Sequence, residues 1–136
     1  MRVVVDASVA LKWVLFDEPG TTPALALREY ELIAPALWLV EAANALWRGN
    51  RIGQLSADEV PKFLAELLNA PVASLPIEPY VDAALRFGVE LGHPVYDCLY
   101  LAVAIRHDTY VVTAGRRFAA IADRPEFADR VRLLGS

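Results

Sequence analysis

The chain has 136 residues, one cysteine and a formal net charge of −4, and 56% of its residues are hydrophobic. This length predicts a single domain, residues 1–136, that can bury a substantial core, and the apolar composition argues against disorder. Proteins that coat nucleic acid by bulk electrostatics are usually basic, so the negative charge argues against that class. It argues less against a nuclease, because a bound metal ion supplies local positive charge.

The sequence pattern predicts neither a membrane span nor a secretory signal. No stretch of the sequence reaches the roughly 18 uninterrupted apolar residues that a membrane span needs, and the N-terminal residues do not resemble a secretory signal. A lone cysteine allows no internal disulfide, which fits a reducing compartment. These features predict a cytoplasmic protein. The apolar fraction exceeds what a small monomer easily hides, so a subunit or partner interface is also expected.

The first half of the chain alternates between strand and helix patterns. A β-branched run predicts a buried strand at 3–5, and Ser8 is the predicted N-cap of a helix that runs to about Phe16 and ends at 17–20. Thr22-Pro23 is predicted to open a second helix, to about Tyr30. A strand at 32–34 and a helix of about fifteen residues after Pro35 follow, and the helix is broken at 49–53.

The second half continues the alternation. Ser56 and Glu59 fit a capping box and begin a helix to about residue 68. The remaining predicted elements are a strand at 72–75, a helix from Pro79 to near Gly92, a helix at 96–107, a strand at 109–113, a short helix after Arg116 and an edge strand at 131–134. Alternating strands and helices indicate a parallel sheet with helices packed on it.

Three acidic residues lie where apolar sequence would otherwise continue. Asp6 closes a run of three valines, Glu41 interrupts an apolar helix, and Asp97 opens the mostly apolar stretch 98–105. Carboxylates are costly to bury without a partner, so three of them on core-facing elements suggest a shared cation. Oxygen-only ligands favour a hard ion such as Mg²⁺ or Mn²⁺. The pattern is typical of a metal-dependent phosphoryl-transfer or phosphodiester-cleaving site.

The topology of an open α/β sheet would bring these positions together at one edge. Ligands of such sheets collect outside the carboxyl ends of the strands. Asp6 follows the first strand and Thr113 ends a later one, so they share this edge if the two strands are neighbours. Asp97 is predicted in the first turn of its helix, and Glu41 and Asn44 share one helix face. The long-range contacts themselves do not follow from these patterns.

Four segments, taken together, resemble a known family. They are Val-Val-Asp6-Ala-Ser8, Glu41-Ala-Ala-Asn44, Tyr96-Asp97-Cys98-Leu-Tyr100 and Val-Val-Thr113-Ala-Gly115-Arg116-Arg117-Phe118. Each one alone is a weak signal, since a strand that ends in Asp is commonplace. In this order, over nearly the whole chain, they resemble a PIN domain and, more narrowly, the VapC toxins of bacterial toxin–antitoxin pairs.

The resemblance implies a fold, an activity and partners. The implied fold is an α/β/α sandwich whose central parallel sheet has strand order 3-2-1-4-5 and helices on both faces. The implied activity is a Mg²⁺- or Mn²⁺-dependent endoribonuclease that leaves a 5′-phosphate and a 3′-hydroxyl. Such proteins are usually dimeric and are held inactive by a cognate VapB-like antitoxin. By position, Asp6, Glu41 and Asp97 match the metal-binding acids, and Ser8, Asn44 and Thr113 match supporting polar residues.

One position departs from the family pattern and keeps alternatives open. The family often has a fourth acid two residues after the position of Thr113, where this chain has Gly115. Without that carboxylate a second metal ion would be poorly held. A PIN fold that binds RNA or a protein without cutting is therefore one alternative. A receiver-like phosphoryl-accepting module is disfavoured, because it needs a lysine at the end of a late strand and Lys12 and Lys62 lie on early helices.

Several basic residues lie close to these motifs. Lys12, Arg48 and Arg116 are candidates for contacts to RNA phosphates, with a solvated surface position as the alternative for each. Arg117 is expected to lie in solvent. His93 and His107 lack the spacing of metal ligands and are predicted to occupy a loop and a helix end.

Overall fold

The five strands form one parallel sheet. A computed structural model of the protein describes residues 1–15 and 20–136. The strands are β1 (Arg2–Val5), β2 (Glu31–Pro35), β3 (Val72–Leu75), β4 (Val111–Thr113) and β5 (Val131–Leu133). All four neighbouring pairs are parallel and the strand order is β3-β2-β1-β4-β5. The predicted order 3-2-1-4-5 is confirmed.

Helices connect the strands. They are α1 (Ala7–Leu11), α2 (Thr21–Ala26), α3 (Leu37–Arg51), α4 (Glu59–Leu68), α5 (Glu78–Leu91), α6 (Val95–Arg106) and α7 (Arg116–Ala119). Short 3-10 segments lie at Leu27–Glu29, Ala120–Asp123 and Pro125–Phe127. The capping box that opens α4 is confirmed: the Ser56 N–H donates to Glu59 Oε1 at 2.9 Å and the Glu59 N–H donates to Ser56 Oγ at 3.2 Å.

The helices cover both faces of the sheet. The chain passes from β1 outward to β3 and then returns past β1 to β4 and β5. Because parallel crossovers are right-handed, the helices between β1 and β3 lie on one face and those between β3 and β5 lie on the other. The contacts agree, since α1 and α4 both pack on α3 whereas α5 packs on α6. The fold is an α/β sandwich around the buried valines of β1.

Helix α6 is the central helix of its layer. Residues Cys98 to Ala104 are all buried, and α6 contacts β1, β2 and β4. A helix that is apolar all round needs such an enclosed position. Among the described residues, no helix combines the length and the apolar character that crossing a membrane would take.

Two predicted helix starts are wrong. The first helix begins at Ala7, and its N-cap is Asp6, not Ser8, because the Asp6 carboxylate accepts a hydrogen bond from the Val9 N–H. This helix ends at Leu11, before the predicted end near residue 16. Residues 16–19, where the end of the helix was predicted, lie outside the described residues. The second helix begins at Thr21 after Gly20, whose φ of 91° is a left-handed conformation that suits glycine.

Other boundaries differ by a few residues. The second helix changes to a 3-10 segment after Ala26, so the predicted end near Tyr30 covers two elements. Helix α3 continues through Gly49 to Arg51, since a single glycine weakens a packed helix without breaking it. Strand β4 begins at Val111, two residues later than predicted. Gly92 is the C-cap of α5 with φ of 62°, as its position after the helix indicated.

Candidate active site

The strand order reverses between β1 and β4, and the candidate site lies at that point. Asp6 directly follows β1, and Thr113 is the last residue of β4. Val5 is aligned with Val112, and the Asp6 N–H donates to the Val112 carbonyl at 3.3 Å. Asp6 and Thr113 therefore lie side by side at the carboxyl edge of the sheet, where open α/β sheets bind their ligands.

Asp6 is fixed by hydrogen bonds from its own helix. The Ser8 hydroxyl donates to Asp6 Oδ1 at 2.5 Å, and the Val9 N–H donates to the same oxygen at 3.3 Å. Ser8 Oγ in turn accepts a hydrogen bond from the Ala114 N–H at 2.9 Å. Ser8 thus joins the Asp6 carboxylate to the backbone that follows β4.

Thr113 is buried and stabilises the turn after β4. Its hydroxyl oxygen accepts a hydrogen bond from the Gly115 N–H at 3.0 Å and lies 3.5 Å from Ser8 Oγ. The side chain is 1% exposed. A buried hydroxyl between Ser8 and the backbone of Gly115 holds the loop against the Asp6 side of the site.

Glu41 and Asp97 reach the same edge on two helices. Helix α3 begins directly after β2, so its first turns lie at the carboxyl edge and carry Glu41 there. Helix α6 ends directly before β4, so its first turn, with Asp97, lies at that edge as well. Glu41 Oε1 accepts a hydrogen bond from the Tyr100 hydroxyl at 2.5 Å. Asp97 Oδ2 lies 2.6 Å from Nε2 of His93, whose ring is buried and packs on Phe118.

The three carboxylates line one small cavity of about 230 Å³. The full lining is Asp6, Ala7, Ser8, Glu41, Asp97, Tyr100, Thr113, Gly115, Arg117 and Phe118. Five of the six residues that the resemblance assigned to the metal and its support, all except Asn44, are in this set. The sheet topology therefore brings together residues that are more than 100 positions apart in the chain.

The cavity holds more negative charge than the protein compensates. Burial raises the pKa of Asp6 from 3.8 to about 6, although hydrogen bonds to its carboxylate oppose the rise. Burial also raises the pKa of Glu41, and the hydrogen bond from Tyr100 opposes that shift. The charge of Asp97 adds to both shifts. A cation in the cavity would relieve this excess, and clusters of carboxyl groups with raised pKa are typical of functional sites.

The donor chemistry fits a hydrated hard cation. Within residues 1–15 and 20–136, no three His, Cys, Asp or Glu side chains converge closely enough to enclose a bare metal ion. Mg²⁺ usually keeps several waters and is bound through one or two carboxylates, so it does not need such a cage. Carboxylate oxygens spaced around a cavity of about 230 Å³ suit an ion of this kind.

Four predicted site residues lie elsewhere. Asn44 is exposed and sits about 4.5 Å further along α3 than Glu41, away from the sheet edge. Lys12 is the C-cap of α1, and Arg116 is exposed beside the cavity. Arg48 lines a separate apolar groove of about 990 Å³ between α3 and α4. In the described part of the chain, none of the four is among the residues that line the acidic cavity.

The sequence interpretation missed three residues of the site. Arg117 is exposed, as expected, but it also lines the cavity, whereas Arg116 does not. Tyr100 contacts Glu41 across 59 positions of sequence, which no local pattern reveals. His93 lies in the loop between α5 and α6, as predicted, but its contact with Asp97 four residues later was missed. That spacing was a usable signal, because residues four apart become neighbours where a helix begins.

Comparison with known proteins identifies the family. The model of the PIN domain family matches residues 3–124. The chain belongs to the PIN domain family. Its fold agrees with the crystal structure of PAE2754 from Pyrobaculum aerophilum, with a TM-score of 0.70 and 29% identity over 88% of this chain and 78% of that one.

Curated relatives place this PIN domain among proteins of the VapC type. It is 30% identical to Ribonuclease VapC12 of Mycobacterium tuberculosis over 118 residues, which are 86% of this chain and 89% of that protein. It is 32% identical to Exonuclease VapC9 of Pyrobaculum aerophilum over 84 residues, which are 62% of each chain. The expected resemblance is thus confirmed at the level of the VapC-type PIN family.

Proposed function

We propose that this PIN domain, as a single domain over residues 1–136, is a Mg²⁺- or Mn²⁺-dependent endoribonuclease and the toxin of a type II toxin–antitoxin pair. The observation that carries the proposal is the meeting of Asp6, Glu41 and Asp97 around one cavity where the strand order reverses. The names of the two curated relatives, a ribonuclease and an exonuclease, support nuclease chemistry. Its RNA substrate and its lone cysteine fit a cytoplasmic site of action.

Each residue of the cavity has a distinct role in this proposal. Asp6, Glu41 and Asp97 bind the cation through carboxylate oxygens. A divalent ion held there lowers the pKa of a bound water and neutralises charge on the scissile phosphate. Ser8 and Thr113 hold the Asp6 side of the cavity in place.

Arg117 is the cavity residue best suited to an RNA phosphate. Its guanidinium is the positive group among the lining residues, whereas the acids of the same lining would repel the phosphate without a metal. Arginine also offers two parallel hydrogen-bond donors to phosphate oxygens. Lys12, Arg48 and Arg116 lie outside the cavity, so any contact they make to RNA would be to flanking nucleotides.

A circular RNA separates this proposal from exonuclease activity. We expect the protein to open a circularised, structured RNA in Mn²⁺ or Mg²⁺ and to be inactive in EDTA. The products should carry 5′-phosphate and 3′-hydroxyl ends, which ligation assays detect. Degradation of linear RNA with no cut in the circle would indicate an exonuclease. If neither RNA is cleaved, the remaining alternative is a PIN domain that binds RNA or a protein without cutting.

The alternative is a PIN domain that binds RNA or a protein without cutting. Gly115 favours it, because it leaves the fourth acidic position of the family without a carboxylate. The receiver-like alternative loses its basis, since the chain belongs to the PIN family and β4 ends in Thr113, not in lysine.

Gly115→Asp tests whether the missing acid limits the site. An aspartate at this position would not strain the backbone, because φ at Gly115 is −85°, which any residue adopts. A Cβ atom added there would lie 3.4 Å from Thr113 Oγ1, an ordinary contact. The new carboxylate would face the cavity and add a ligand, so the cleavage rate at limiting Mn²⁺ should rise about tenfold.

The control for that variant is Gly115→Asn, which adds similar bulk without the charge. Melting temperatures and Mn²⁺-dependent rates of both variants are compared with wild type. If Gly115→Asp folds normally and its metal dependence matches wild type, the absent carboxylate is not what limits this site.

We also propose a homodimer, and α5 offers a surface for it. Val81, Leu85 and Val89 are spaced four residues apart, and they are 43%, 54% and 79% exposed. An apolar row on one helix face is costly to leave in water. Leu85→Glu should therefore shift the protein from dimer to monomer in light scattering at micromolar concentration. The matched change Leu68→Glu on α4 should leave the dimer intact, and a monomeric wild type would contradict the proposal.

The cognate antitoxin is proposed to act on the acidic cavity. An Arg or Lys of a VapB-like partner would place its positive charge where the cation otherwise binds. The product of the neighbouring reading frame should form a stable complex with the protein and suppress RNA cleavage. Normal cleavage within an isolated complex would contradict this mode of inhibition.

A further inference from the structure

Tyr100 is a buried tyrosine whose hydroxyl contacts one of the three acids. Its side chain is fully buried on α6, and its hydroxyl donates to Glu41 Oε1 at 2.5 Å. This is the length of a strong hydrogen bond to a carboxylate. The neighbouring buried residues Leu101 and Val103 are purely apolar, so packing of this helix does not by itself call for a hydroxyl group.

The contact restricts a flexible side chain. Glu41 has three rotatable bonds and is only partly buried on α3, so its carboxylate would sample several orientations without a partner. The Tyr100 ring is enclosed by the core and has two side-chain torsions. Its hydroxyl is therefore a fixed point that holds Oε1, and groups that are fixed before binding lose less entropy when a ligand arrives.

We propose that Tyr100 is a positioning residue that orients Glu41 toward the cation through its hydroxyl group. The inference rests on the proposed metal-dependent function. With Oε1 engaged by Tyr100, Oε2 would be left free to bind the ion. The hydrogen bond acts in the way that partners of metal-binding carboxylates commonly do, and loss of such a partner typically weakens metal binding about 10–100-fold.

Tyr100→Phe tests this with the removal of one oxygen atom. The ring and its packing are kept, whereas Glu41 loses its donor. We expect the dissociation constant for Mn²⁺, measured by calorimetry, to rise about tenfold. At saturating Mn²⁺ the cleavage rate should approach that of wild type, because the added metal compensates for weaker binding.

Tyr80→Phe is the matched control. It also removes a phenol hydroxyl with a side-chain partner, since Tyr80 Oη lies 3.2 Å from Nε2 of His107, outside the acidic cavity. This variant should bind Mn²⁺ like wild type. If Tyr100→Phe also binds Mn²⁺ like wild type, the positioning role is overturned. If wild type itself fails to bind Mn²⁺, the proposed function falls instead, so the two failures are distinguishable.

A second measurement does not depend on the folding of Tyr100→Phe. The five tyrosines of the wild-type sequence are labelled as 3-fluorotyrosine, and the Tyr100 signal in the ¹⁹F NMR spectrum is assigned by elimination with Phe variants of the other four. Addition of Mg²⁺ should shift the Tyr100 signal, because its partner Glu41 binds the ion, and should leave Tyr80 unchanged. A Tyr100 signal that does not move while Mg²⁺ binds would overturn the proposal.

Discussion

Asp97→Asn is expected to lower Mn²⁺-dependent RNA cleavage by about 100-fold or more, which corresponds to about 3 kcal/mol of lost transition-state stabilisation. The change removes one of the charges proposed to hold the cation but keeps the size of the side chain. Asn also retains an oxygen that can accept the hydrogen bond from His93, which lies 2.6 Å from the Asp97 carboxylate. The variant should therefore fold, and single-turnover cleavage with excess enzyme measures the loss.

Asp82→Asn is the control for this variant. Asp82 lies on α5, its side chain is 87% exposed, and it pairs with Arg86 on the surface. The same chemical change there should leave cleavage within about twofold of wild type. Equal activity of Asp97→Asn and Asp82→Asn would remove Asp97 from the catalytic site.

Asp6→Asn is expected to raise the melting temperature of the metal-free protein at pH 7 by about 5 °C or more. The Asp6 pKa is raised from 3.8 to about 6, mainly by burial. Between these two values the folded state holds a proton that the unfolded state has lost, so the free energy of unfolding falls as pH rises through this window. Above pH 6 the ionised Asp6 lowers the free energy of unfolding by up to about 3 kcal/mol, and Asn removes this cost.

The expected rise in the melting temperature of Asp6→Asn can be tested directly. Asn is a good N-cap, so it keeps the hydrogen bond from the Val9 N–H that begins α1. Thermal unfolding at pH 4.5 and pH 7 should show a larger gain at pH 7. Addition of Mn²⁺ at pH 7 should raise the melting temperature of wild type but not of Asp6→Asn. A lower melting temperature for Asp6→Asn at pH 7 would contradict the account of a crowded, negatively charged cavity.

The backbone of the site was predictable from local patterns. A run of three valines that ends in an acid indicates a strand with a carboxylate at its carboxyl end, and Asp6 lies there. Asp97 lies in the first turn of α6, as its position before an apolar stretch indicated. The pairing of β1 with β4 came from the family resemblance, because strand order depends on contacts between distant parts of the chain.

The supporting contacts were not predictable for three different reasons. The sequence pattern of Tyr100 is that of one more core residue of an apolar helix. Its hydroxyl contacts Glu41 only because α3 and α6 both begin at the carboxyl edge of the sheet. Successive residues on a helix differ by about 100° in direction, so which of two adjacent arginines faces the cavity depends on how α7 packs on β5. Asp and Ser are both common N-cap residues, so the sequence did not show whether Asp6 or Ser8 caps α1. The structure shows that Asp6 is the cap, because its carboxylate accepts a hydrogen bond from the Val9 N–H.

Calorimetric titration of Mn²⁺ into the metal-free protein tests the central claim most directly. We predict saturable binding to wild type that is weakened at least about tenfold in each of Asp6→Asn, Glu41→Gln and Asp97→Asn. The exposed change Asp82→Asn should bind Mn²⁺ like wild type. Undiminished Mn²⁺ binding in all three cavity variants would contradict the proposal that these carboxylates form a metal site.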